Sequence, residues 1–341
     1  MAEVKLKDIA DRIGVSTVTV SNALSGKKGV SAGLRENIEN VAEELGYDIS
    51  RYHRTLQGAR IGVISTEKRY MEIGNSFYWS LYQQVVNAAT ERQSVTMLEP
   101  VEESRQESGQ PPRILKAKAV DGLIVIGWMF APYIQYLVKE AGVPVVLLDF
   151  RVRESSCDTV ISCNYTGIYK MTRYLTDRGH RRLAFVGSVL ANENIMDRYY
   201  GYRKALIEAG IEERRDWILE DRDLLTGEMQ FSLPDELPTA FVCNCDLAAR
   251  DVYAALDERG LRVPDDASIV GYDDYLPGSS VADLLTTYHV DTRRMAEMAV
   301  GRLLGKIHGE ETQYGIHYID GPVIERSSVR DLRIKTGNGR K

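Results

Sequence analysis

The sequence predicts an α/β protein in which a small helical unit at the N-terminus precedes two lobes built on parallel sheets. Apolar residues recur at helical spacing up to about Leu45. Strands alternate with helices from Arg60 onward, and the same alternation starts again after Asp158. The length of 341 residues exceeds that of one compact domain, so two or three folding units are expected.

The N-terminal segment is typical of two short helices joined by a tight turn. Apolar residues at helical spacing define the first helix: Leu6, Ile9, Ala10 and Ile13. Gly14 breaks this pattern because it tolerates a left-handed turn, and Ser16 is a favourable N-cap for a second helix over residues 17–23. This is the helix-turn-helix arrangement, whose second helix enters the DNA major groove. An ordinary helical hairpin has the same spacing and is the alternative interpretation.

The second helix is expected to have a packed face and an outward face. Val15, Val20 and Leu24 can pack on the first helix. The outward residues are Thr17, Val18, Ser21 and Asn22. Ser31 is expected to cap a third helix that Gly46 ends, and three helices complete a headpiece over residues 1–48.

Charge is distributed unevenly along the chain. The net charge of −6 argues against a protein that coats nucleic acid indiscriminately. Residues 4–35, however, contain six basic and two acidic side chains, a local net charge of +4. Lys27 and Lys28 lie in the predicted loop after the second helix, where they are well placed to contact phosphates. The sequence is therefore compatible with local DNA binding.

Two stretches of this segment carry a specific resemblance. KDIADRIGVSTVTVSNAL, followed by GVSAGLRENIENVAEELGY, resembles the headpiece of the LacI/GalR family of bacterial repressors. The resemblance continues to about Arg330 and is weak over residues 99–118. It implies that the DNA-reading residues are Thr17, Val18 and Asn22. Threonine can donate, accept or touch a thymine methyl group, valine makes apolar contact, and asparagine can pair with adenine. Hydroxyl groups that can bond phosphates are those of Ser16, Thr19 and Ser21.

Residues 48–59 are polar and basic, and their composition alone predicts a plain linker. The family resemblance instead implies a hinge helix that folds on DNA, with a leucine from each subunit of a dimer wedged into the minor groove. Leu56 stands at that leucine's place. Tyr52 and His53 replace the small residues that are usual in this hinge, and their size disfavours close pairing of two hinge helices.

The rest of the chain is predicted from its alternating pattern. The expected strands are residues 61–64, 95–98, 123–126, 145–148, 160–162, 183–186, 240–243, 268–272 and 314–319. The expected helices are residues 77–92, 132–141, 165–178, 199–209, 247–259 and 293–308. The resemblance implies a periplasmic-binding-protein-like core in which the chain crosses between the lobes near Ser162, Val290 and Gly321.

The predicted division of the chain follows from these crossings. Residues 1–48 form the headpiece, 49–59 the hinge, 60–330 the core for effector binding and dimerisation, and 331–341 a disordered tail. Within the core, lobe 1 takes about residues 60–161 and 291–320, and lobe 2 takes about residues 162–290 and 321–330.

Ligands of open parallel sheets bind outside the carboxyl ends of the strands. Those ends carry Asp149, residues 244–246, and residues 273–274. Asp246 is expected to cap the helix that follows it. The resemblance places effector contacts at Phe77, Tyr78, Asp149, Arg198 and Asp273. Carboxylates, an arginine and aromatic faces together suit a polyhydroxylated ring.

The chain departs from the family pattern after residues 240–243. Cys245 stands where many members have asparagine, so the family's usual hydrogen bond to the effector is not expected at this position. Asn244 is the expected substitute, although it would approach the effector from a different angle.

Several classes of protein are disfavoured. Four cysteines do not form a disulfide framework in a chain of this length, and Cys243 and Cys245 lack the spacing of a metal site. No cofactor or metal is predicted, and no nucleotide-binding or hydrolase motif is present. The five histidines are scattered without a partnered nucleophile, so an enzyme is not expected. The absence of a signal peptide or membrane span predicts a cytoplasmic protein.

The sequence therefore predicts a homodimeric transcription factor that binds a pseudo-palindromic operator in double-stranded DNA. Its operator affinity is expected to respond to a small carbohydrate bound between the lobes, most simply as a repressor of carbohydrate use. Two alternatives stay open. One is a corepressor-dependent regulator, as in purine control, or an activator of the same fold. The other is a sugar-binding protein without a DNA role, which the headpiece disfavours.

Overall fold

The computed structural model describes residues 4–24, 30–47, 58–66, 77–153, 156–224, 226–310 and 313–334. Several predicted features lie outside these ranges. They are the contacts of Lys27 and Lys28, the hinge helix with its Leu56, and residues 335–341 of the tail.

The N-terminal unit consists of three helices: α1 (Leu6–Ile13), α2 (Thr17–Leu24) and α3 (Ala32–Glu44). Gly14 ends α1 in the left-handed conformation with a φ of 79°, and Ser16 Oγ accepts the backbone N–H of Thr19 at 3.0 Å as the N-cap of α2. The helices share one buried apolar core, formed by Ile9, Ala10, Val20, Ala23, Leu24, Ile38 and Ala42. The predicted helix-turn-helix is thus present, and its packed face is the expected one.

The core begins at Arg60 and alternates between strands and helices. Its strands are β1 (Arg60–Thr66), β2 (Val95–Val101), β3 (Gly122–Ile126), β4 (Val145–Leu148), β5 (Asp158–Ser162), β6 (Leu183–Val186), β7 (Ile218–Leu219), β8 (Ala240–Cys243), β9 (Ser268–Asp273), β10 (Thr286–His289), β11 (Ile316–Ile319) and β12 (Val323–Ile324). Its helices are α4 (Phe77–Thr90), α5 (Glu103–Glu107), α6 (Arg113–Lys116), α7 (Ala131–Glu140), α8 (Asn164–Thr176), α9 (Glu193–Glu208), α10 (Asp246–Glu258) and α11 (Thr292–Ile307).

Two six-stranded sheets form the centres of the two lobes. The first sheet has the strand order β11-β5-β4-β3-β1-β2 and all its pairings are parallel. The second has the order β12-β10-β9-β8-β6-β7, with only β12 antiparallel to its neighbour. The central strands are buried along their whole length because helices cover both faces, as parallel sheets require. We call the lobe around the first sheet lobe 1 and the other lobe 2.

The chain passes between the two sheets after β5, after β10 and after β11. Hydrogen bonds tie these three crossings together. The Tyr288 hydroxyl donates to Asp320 Oδ1 at 2.8 Å, and Lys170 Nζ donates to the same carboxylate. The Tyr272 hydroxyl donates to Ser162 Oγ at 3.0 Å. The crossings therefore form one connected region at the junction of the lobes.

The structure contains five short elements that the sequence-based expectation lacked, namely β7, β10, β12, α5 and α6, and it differs from that expectation in three further details. Helix α9 begins at Glu193, six residues earlier than expected, because Asn192 accepts the N–H of Ile195 as an N-cap. Asp246 does not cap α10; Cys245 holds that position, and the Asp246 carboxylate bonds distant residues instead. The tail is held at its start, since the N–H of Leu332 donates to the carbonyl oxygen of Arg178.

Among the described helices, none is both long and apolar enough to cross a membrane. The described ranges also contain no cluster of three or more histidine, cysteine, aspartate or glutamate side chains that could hold a metal ion.

Candidate functional site

A cavity of about 500 Å³ opens between the two lobes. It is bounded on one side by residues of lobe 1 and on the other by residues of lobe 2. All six effector-binding residues predicted from the sequence line this one cavity: Phe77, Tyr78, Asp149, Arg198, Asn244 and Asp273. Asp149, Asn244 and Asp273 meet there because they lie at the carboxyl ends of the parallel strands β4, β8 and β9, while α4 supplies Phe77 and Tyr78 and α9 supplies Arg198.

Backbone geometry aims two carboxylates into this region. Asp149 follows β4 with a φ of 67°, and Asp273 ends β9 with a φ of 112°. Residues other than glycine seldom adopt these left-handed conformations, which cost of order 1–3 kcal/mol each and cluster at functional sites. The turn at Asp149 is held by its N–H, which donates to the Val160 carbonyl at 2.8 Å.

Arg198 is the buried cation of the cavity. Its Nε donates to Asn164 Oδ1 at 2.7 Å and its Nη1 donates to the Asn244 carbonyl at 2.9 Å. Its guanidinium carbon lies 3.9 Å from the centre of the Tyr272 ring, in cation–π contact. Nη2 lies 3.8 Å from Asp273 Oδ1, which is an ion pair too long for a direct hydrogen bond. The guanidinium is therefore fixed, and Nη2 is left available to a ligand.

The carboxylates of this cavity are hard to ionise. Burial raises the pKa of Asp149 to about 6, and the Arg198 charge and a hydrogen bond from Tyr78 only partly oppose this shift. Burial also raises the pKa of Asp273 well above its ordinary value, against the opposing charge of Arg198. Asp149 Oδ1 has no hydrogen-bond partner among the described residues. These acceptors are incompletely satisfied in the protein alone.

Direct contacts join the lobes beside the cavity. Arg151, in the loop after β4, donates from Nε to Glu193 Oε2 at 2.9 Å and from Nη2 to Asp197 Oδ1 at 3.1 Å, both on α9. Asn194 Nδ2 donates to the Asp149 carbonyl at 2.7 Å. The described lobes are thus held together at the cavity by polar contacts as well as by the chain crossings.

Sequence reasoning missed a polar group on the lobe 2 wall. The Asp221 carboxylate is fully buried and accepts from Arg222 Nη2 at 2.6 Å, from Asn244 Nδ2 at 2.7 Å and from the Ser188 N–H at 2.8 Å. Arg222 Nη2 also lies 3.8 Å from Cys245 Sγ. The signal for this group was weak, since Asp221 and Arg222 stand in a polar loop whose pairing with β8 residues is long-range.

Asn244 lies on the wall that the sequence predicted, where its Nδ2 is engaged and its buried Oδ1 has no hydrogen-bond partner among the described residues. Nδ2 donates to the Val186 carbonyl and to Asp221, and the residue is 1% exposed. Cys245 lines the cavity with a thiol whose pKa burial raises to about 12, so it is a neutral and weak hydrogen-bonding group.

Asp246 serves the fold of lobe 2. Its Oδ1 accepts from the Thr287 hydroxyl at 2.6 Å and its Oδ2 accepts from the Tyr275 N–H at 2.8 Å. These bonds connect α10 with β10 and with the loop after β9. Asp246 is absent from the residues that line the interlobe cavity.

The second helix of the headpiece carries the candidate DNA-reading surface. Val18 is 66% exposed on α2, so its side chain is accessible for the apolar contact predicted for it. Ser16 and Thr17 are exposed beside it, and Ser21 and Asn22 are partly exposed. Arg35 lies behind this surface, where Nη1 donates to the Ala23 carbonyl at 2.6 Å and ties α3 to the end of α2.

Comparison with known proteins agrees with both parts of the chain. The profile of the bacterial regulatory proteins of the lacI family matches residues 5–49, and that of the periplasmic binding protein-like domain matches residues 172–329. A transcriptional repressor named PurR from Glaesserella parasuis is 31% identical over 343 residues, covering 96% of this chain and 98% of that protein. This chain belongs to the LacI family. It is a DNA-binding transcriptional repressor of that family and not an enzyme.

Solved structures of LacI family members have the same architecture. The lac repressor dimer bound to operator and an anti-inducer is 25% identical, covers 96% of this chain and 99% of its own, and superposes with a TM-score of 0.64. The regulator CelR in complex with cellobiose superposes with a TM-score of 0.67 at 24% identity, covering 95% of this chain and 99% of its own, which supports the fold. The headpiece and two-lobed core of this LacI family chain therefore follow the family arrangement.

Proposed function

We propose that this LacI family repressor binds a neutral, polyhydroxylated ligand, most simply a sugar, in the interlobe cavity. The observation that carries the proposal is the set of incompletely satisfied groups there. Asp149 and Asp273 supply carboxylate acceptors, and Arg198 Nη2 supplies a donor. Hydroxyl groups both donate and accept, so a polyol can satisfy all three. Phe77 and Tyr78 supply apolar ring surface for the other face of a sugar.

Charge disfavours an anionic ligand such as a sugar phosphate. The described charged residues that line the cavity are Asp149, Asp273, Glu228, Arg198 and Arg222. Both guanidinium groups already face acidic side chains: Arg198 faces Asp273 and Asp149, and Arg222 is paired with the buried Asp221. No uncompensated positive charge is left among them for a phosphate, which is ordinarily bound by arginine or lysine.

A purine corepressor is the second candidate, because the curated relatives are repressors named PurR. The two candidate ligands require different groups in the cavity. A purine is a flat aromatic ligand that gains from stacking, whereas a sugar gains from many hydroxyl contacts. The aromatic rings of Phe77 and Tyr78 meet edge to face, with their centres 5.7 Å apart, and offer no parallel pair for a flat ring.

A thermal-shift screen tests this proposal. The panel contains D-ribose, D-glucose, D-galactose, cellobiose, glucose 6-phosphate, hypoxanthine and guanine. Binding to the native state raises the unfolding temperature by mass action. A shift with a neutral sugar that is lost in Asp273→Asn supports the proposal. A shift with a purine or the sugar phosphate alone would replace it, and no shift with any neutral sugar would contradict it.

We also propose that the repressor acts as a homodimer on a pseudo-palindromic operator. The three-helix headpiece supplies one half-site reader, and a two-fold dimer would present two readers to two half-sites. The lac repressor, 25% identical over almost the whole chain, is a dimer on its operator. In this proposal Lys27 contacts phosphates, and the hinge at residues 49–59 orders on DNA with Leu56 as a wedge at the centre.

Sedimentation and operator binding test the second proposal. The free protein should sediment as a dimer at micromolar concentration, and Leu56→Ala should bend operator DNA less than the parent does. Ligand titration decides between induction and corepression, because an inducer lowers operator affinity and a corepressor raises it. A monomer on a single half-site, or unchanged bending by Leu56→Ala, would contradict the proposed dimer or the wedge respectively.

A further inference from the structure

Lobe 2 contributes one wall of the cavity, and this wall contains an arginine whose side chain is already fixed in position. Arg222 lies in the loop after β7, and Nε and Nη2 both donate to the carboxylate of Asp221 at 2.6–3.2 Å. The Arg222 backbone is also fixed, because its N–H donates to Ser188 Oγ and its carbonyl accepts from the same hydroxyl. The guanidinium is therefore held at one position and orientation before any ligand arrives.

Asp221, which positions this arginine, is itself held by several hydrogen bonds. Asp221 is 0% exposed and accepts three further bonds besides those from the guanidinium: the N–H of Ser188, the amide of Asn244 and, through its backbone carbonyl, the N–H of Gln230. A carboxylate buried to this degree needs such partners to stay charged. The Asp221 carboxylate balances the positive charge of the guanidinium, so Arg222 contributes a hydrogen bond to ligand binding rather than net attraction for an anion.

One nitrogen of Arg222 is left over for the cavity. Nη1 has no partner among the described residues, whereas Nε and Nη2 are engaged, and the side chain keeps 22% of its surface exposed. Arg222 and its neighbour Cys245 both line the cavity. Of the other donors on this wall, Nδ2 of Asn244 is used by Asp221 and the Val186 carbonyl, and the Cys245 thiol is a poor donor.

We infer that Arg222 is a specificity-determining residue of the cavity, donating from Nη1 to one oxygen of the bound ligand, with Asp221 as its positioning residue. The inference rests on the proposed binding of a neutral polyhydroxylated ligand. It identifies one contact, between Nη1 of Arg222 and an oxygen of that ligand. The ligand must present an acceptor oxygen, a hydroxyl or a ring oxygen, to this wall. Arg222 thereby supplies the donor on this wall, while Asn244 keeps only its Oδ1, an acceptor, for a ligand.

The test uses the neutral sugar in the panel of D-ribose, D-glucose, D-galactose and cellobiose that binds the full-length protein most tightly, together with its singly deoxygenated forms. Isothermal titration gives the affinity of wild type, Arg222→Met and Arg250→Met for each sugar. Arg250→Met is the matched control, since Arg250 also pairs with its chain neighbour, Asp251, but lies on the exposed side of α10.

Arg222→Met should bind the parent sugar at least about tenfold more weakly than wild type does, because a hydrogen bond from a charged donor is lost. It should also lose the discrimination that wild type shows against one deoxygenated form, while discrimination at the other positions stays. Loss of fold alone would weaken all sugars in proportion, so the pattern over positions is the decisive readout. Asp221→Asn should reproduce the same pattern more weakly.

Outcomes separate this inference from the proposed function. If wild type binds a sugar and Arg222→Met keeps both the affinity and the discrimination, the inference on Arg222 is overturned and sugar binding stands. If wild type binds none of the four sugars, the proposed ligand class fails, and the inference fails with it. Equal losses in Arg222→Met and Arg250→Met would likewise overturn the inference.

Discussion

Arg151 Nε and Glu193 Oε2 lie 2.9 Å apart and connect a loop of lobe 1 to the first turn of α9 in lobe 2. Asp197, one turn further along α9, accepts from the same guanidinium at 3.1 Å. Arg151 thus bridges the cleft beside the cavity with two ion pairs. A ligand that contacts both lobes binds more weakly when the arrangement that these ion pairs hold is less populated.

We expect Arg151→Met to lower the affinity for the effector by about three- to tenfold, because two partly exposed ion pairs contribute about 1 kcal/mol together. Isothermal titration with the sugar found in the thermal-shift screen measures this. Arg173→Met is the matched control, since Arg173 also faces two carboxylates, Asp177 and Glu208, but all three belong to lobe 2. Equal losses of effector affinity in the two variants would contradict a role for Arg151 in holding the two lobes together.

Arg198→Met is expected to abolish the response to the effector. The change removes the hydrogen bonds to Asn164 and to the Asn244 carbonyl and leaves Asp273 without its cation. We expect at least a hundredfold loss of effector affinity, about 2.7 kcal/mol or more, with operator binding retained in a fluorescence anisotropy titration. Arg198→Lys keeps the positive charge but lacks the planar set of N–H donors of the guanidinium, so it should recover little of the effector affinity. A normal dose-response in both variants would place the effector elsewhere.

Ionisation of Asp149 should make core stability depend on pH. The folded pKa of about 6 exceeds the ordinary value near 4, so between these values the native state binds more protons than the unfolded state. The free energy of unfolding should therefore fall as pH rises from about 4 to about 6 and should level off above. The contribution of this group is about 3 kcal/mol.

Comparison of wild type with Asp149→Asn isolates that contribution. The difference in unfolding temperature between the two proteins should shift in favour of the variant as pH rises over this range, and it should stay constant above about pH 7. Scanning calorimetry at a series of pH values measures the difference. A difference independent of pH would show that Asp149 ionises normally in the fold.

Asn22→Ala tests base reading by α2. If Asn22 pairs with an adenine, its removal should cost about 1–3 kcal/mol on the operator and relax preference at one base pair. Competition binding with operators substituted at single positions measures both effects. Random-sequence DNA is the control, because only phosphate contacts contribute there. An equal loss on operator and random DNA would assign Asn22 to the phosphates instead.

Local patterns in the sequence predicted most of the fold. Gly14 and Ser16 define the turn of the headpiece by their own conformational preferences, and the apolar runs of β3, β4 and β8 are typical of buried parallel strands. The start of α9 was missed because Asn192 lies in a polar stretch without apolar spacing. Helix caps, glycine positions and apolar spacing report the conformational preference of one segment, and they predict its structure where that preference alone determines it.

The place of a residue in the candidate cavity was predictable where a strand end or a family position identified that residue, as at Asp149 and Asp273. It was not predictable where partners lie far apart in sequence. Asp246 looked like a helix cap, yet Thr287 and Tyr275 bond it across lobe 2. Arg222 gave no signal, because its orientation depends on Asp221 and on the approach of Cys245.

The triple crossing between the lobes has a consequence for the order in which the molecule can assemble. Lobe 1 takes its first strand at Arg60 and its last, β11, at Ile316–Ile319, and α11 packs against β3, β4 and β5. During synthesis the ribosome must therefore release the whole of β6 to β10 before lobe 1 can be completed. An unfinished sheet with an open edge at β5 is exposed meanwhile, and an edge of this kind can pair with another chain.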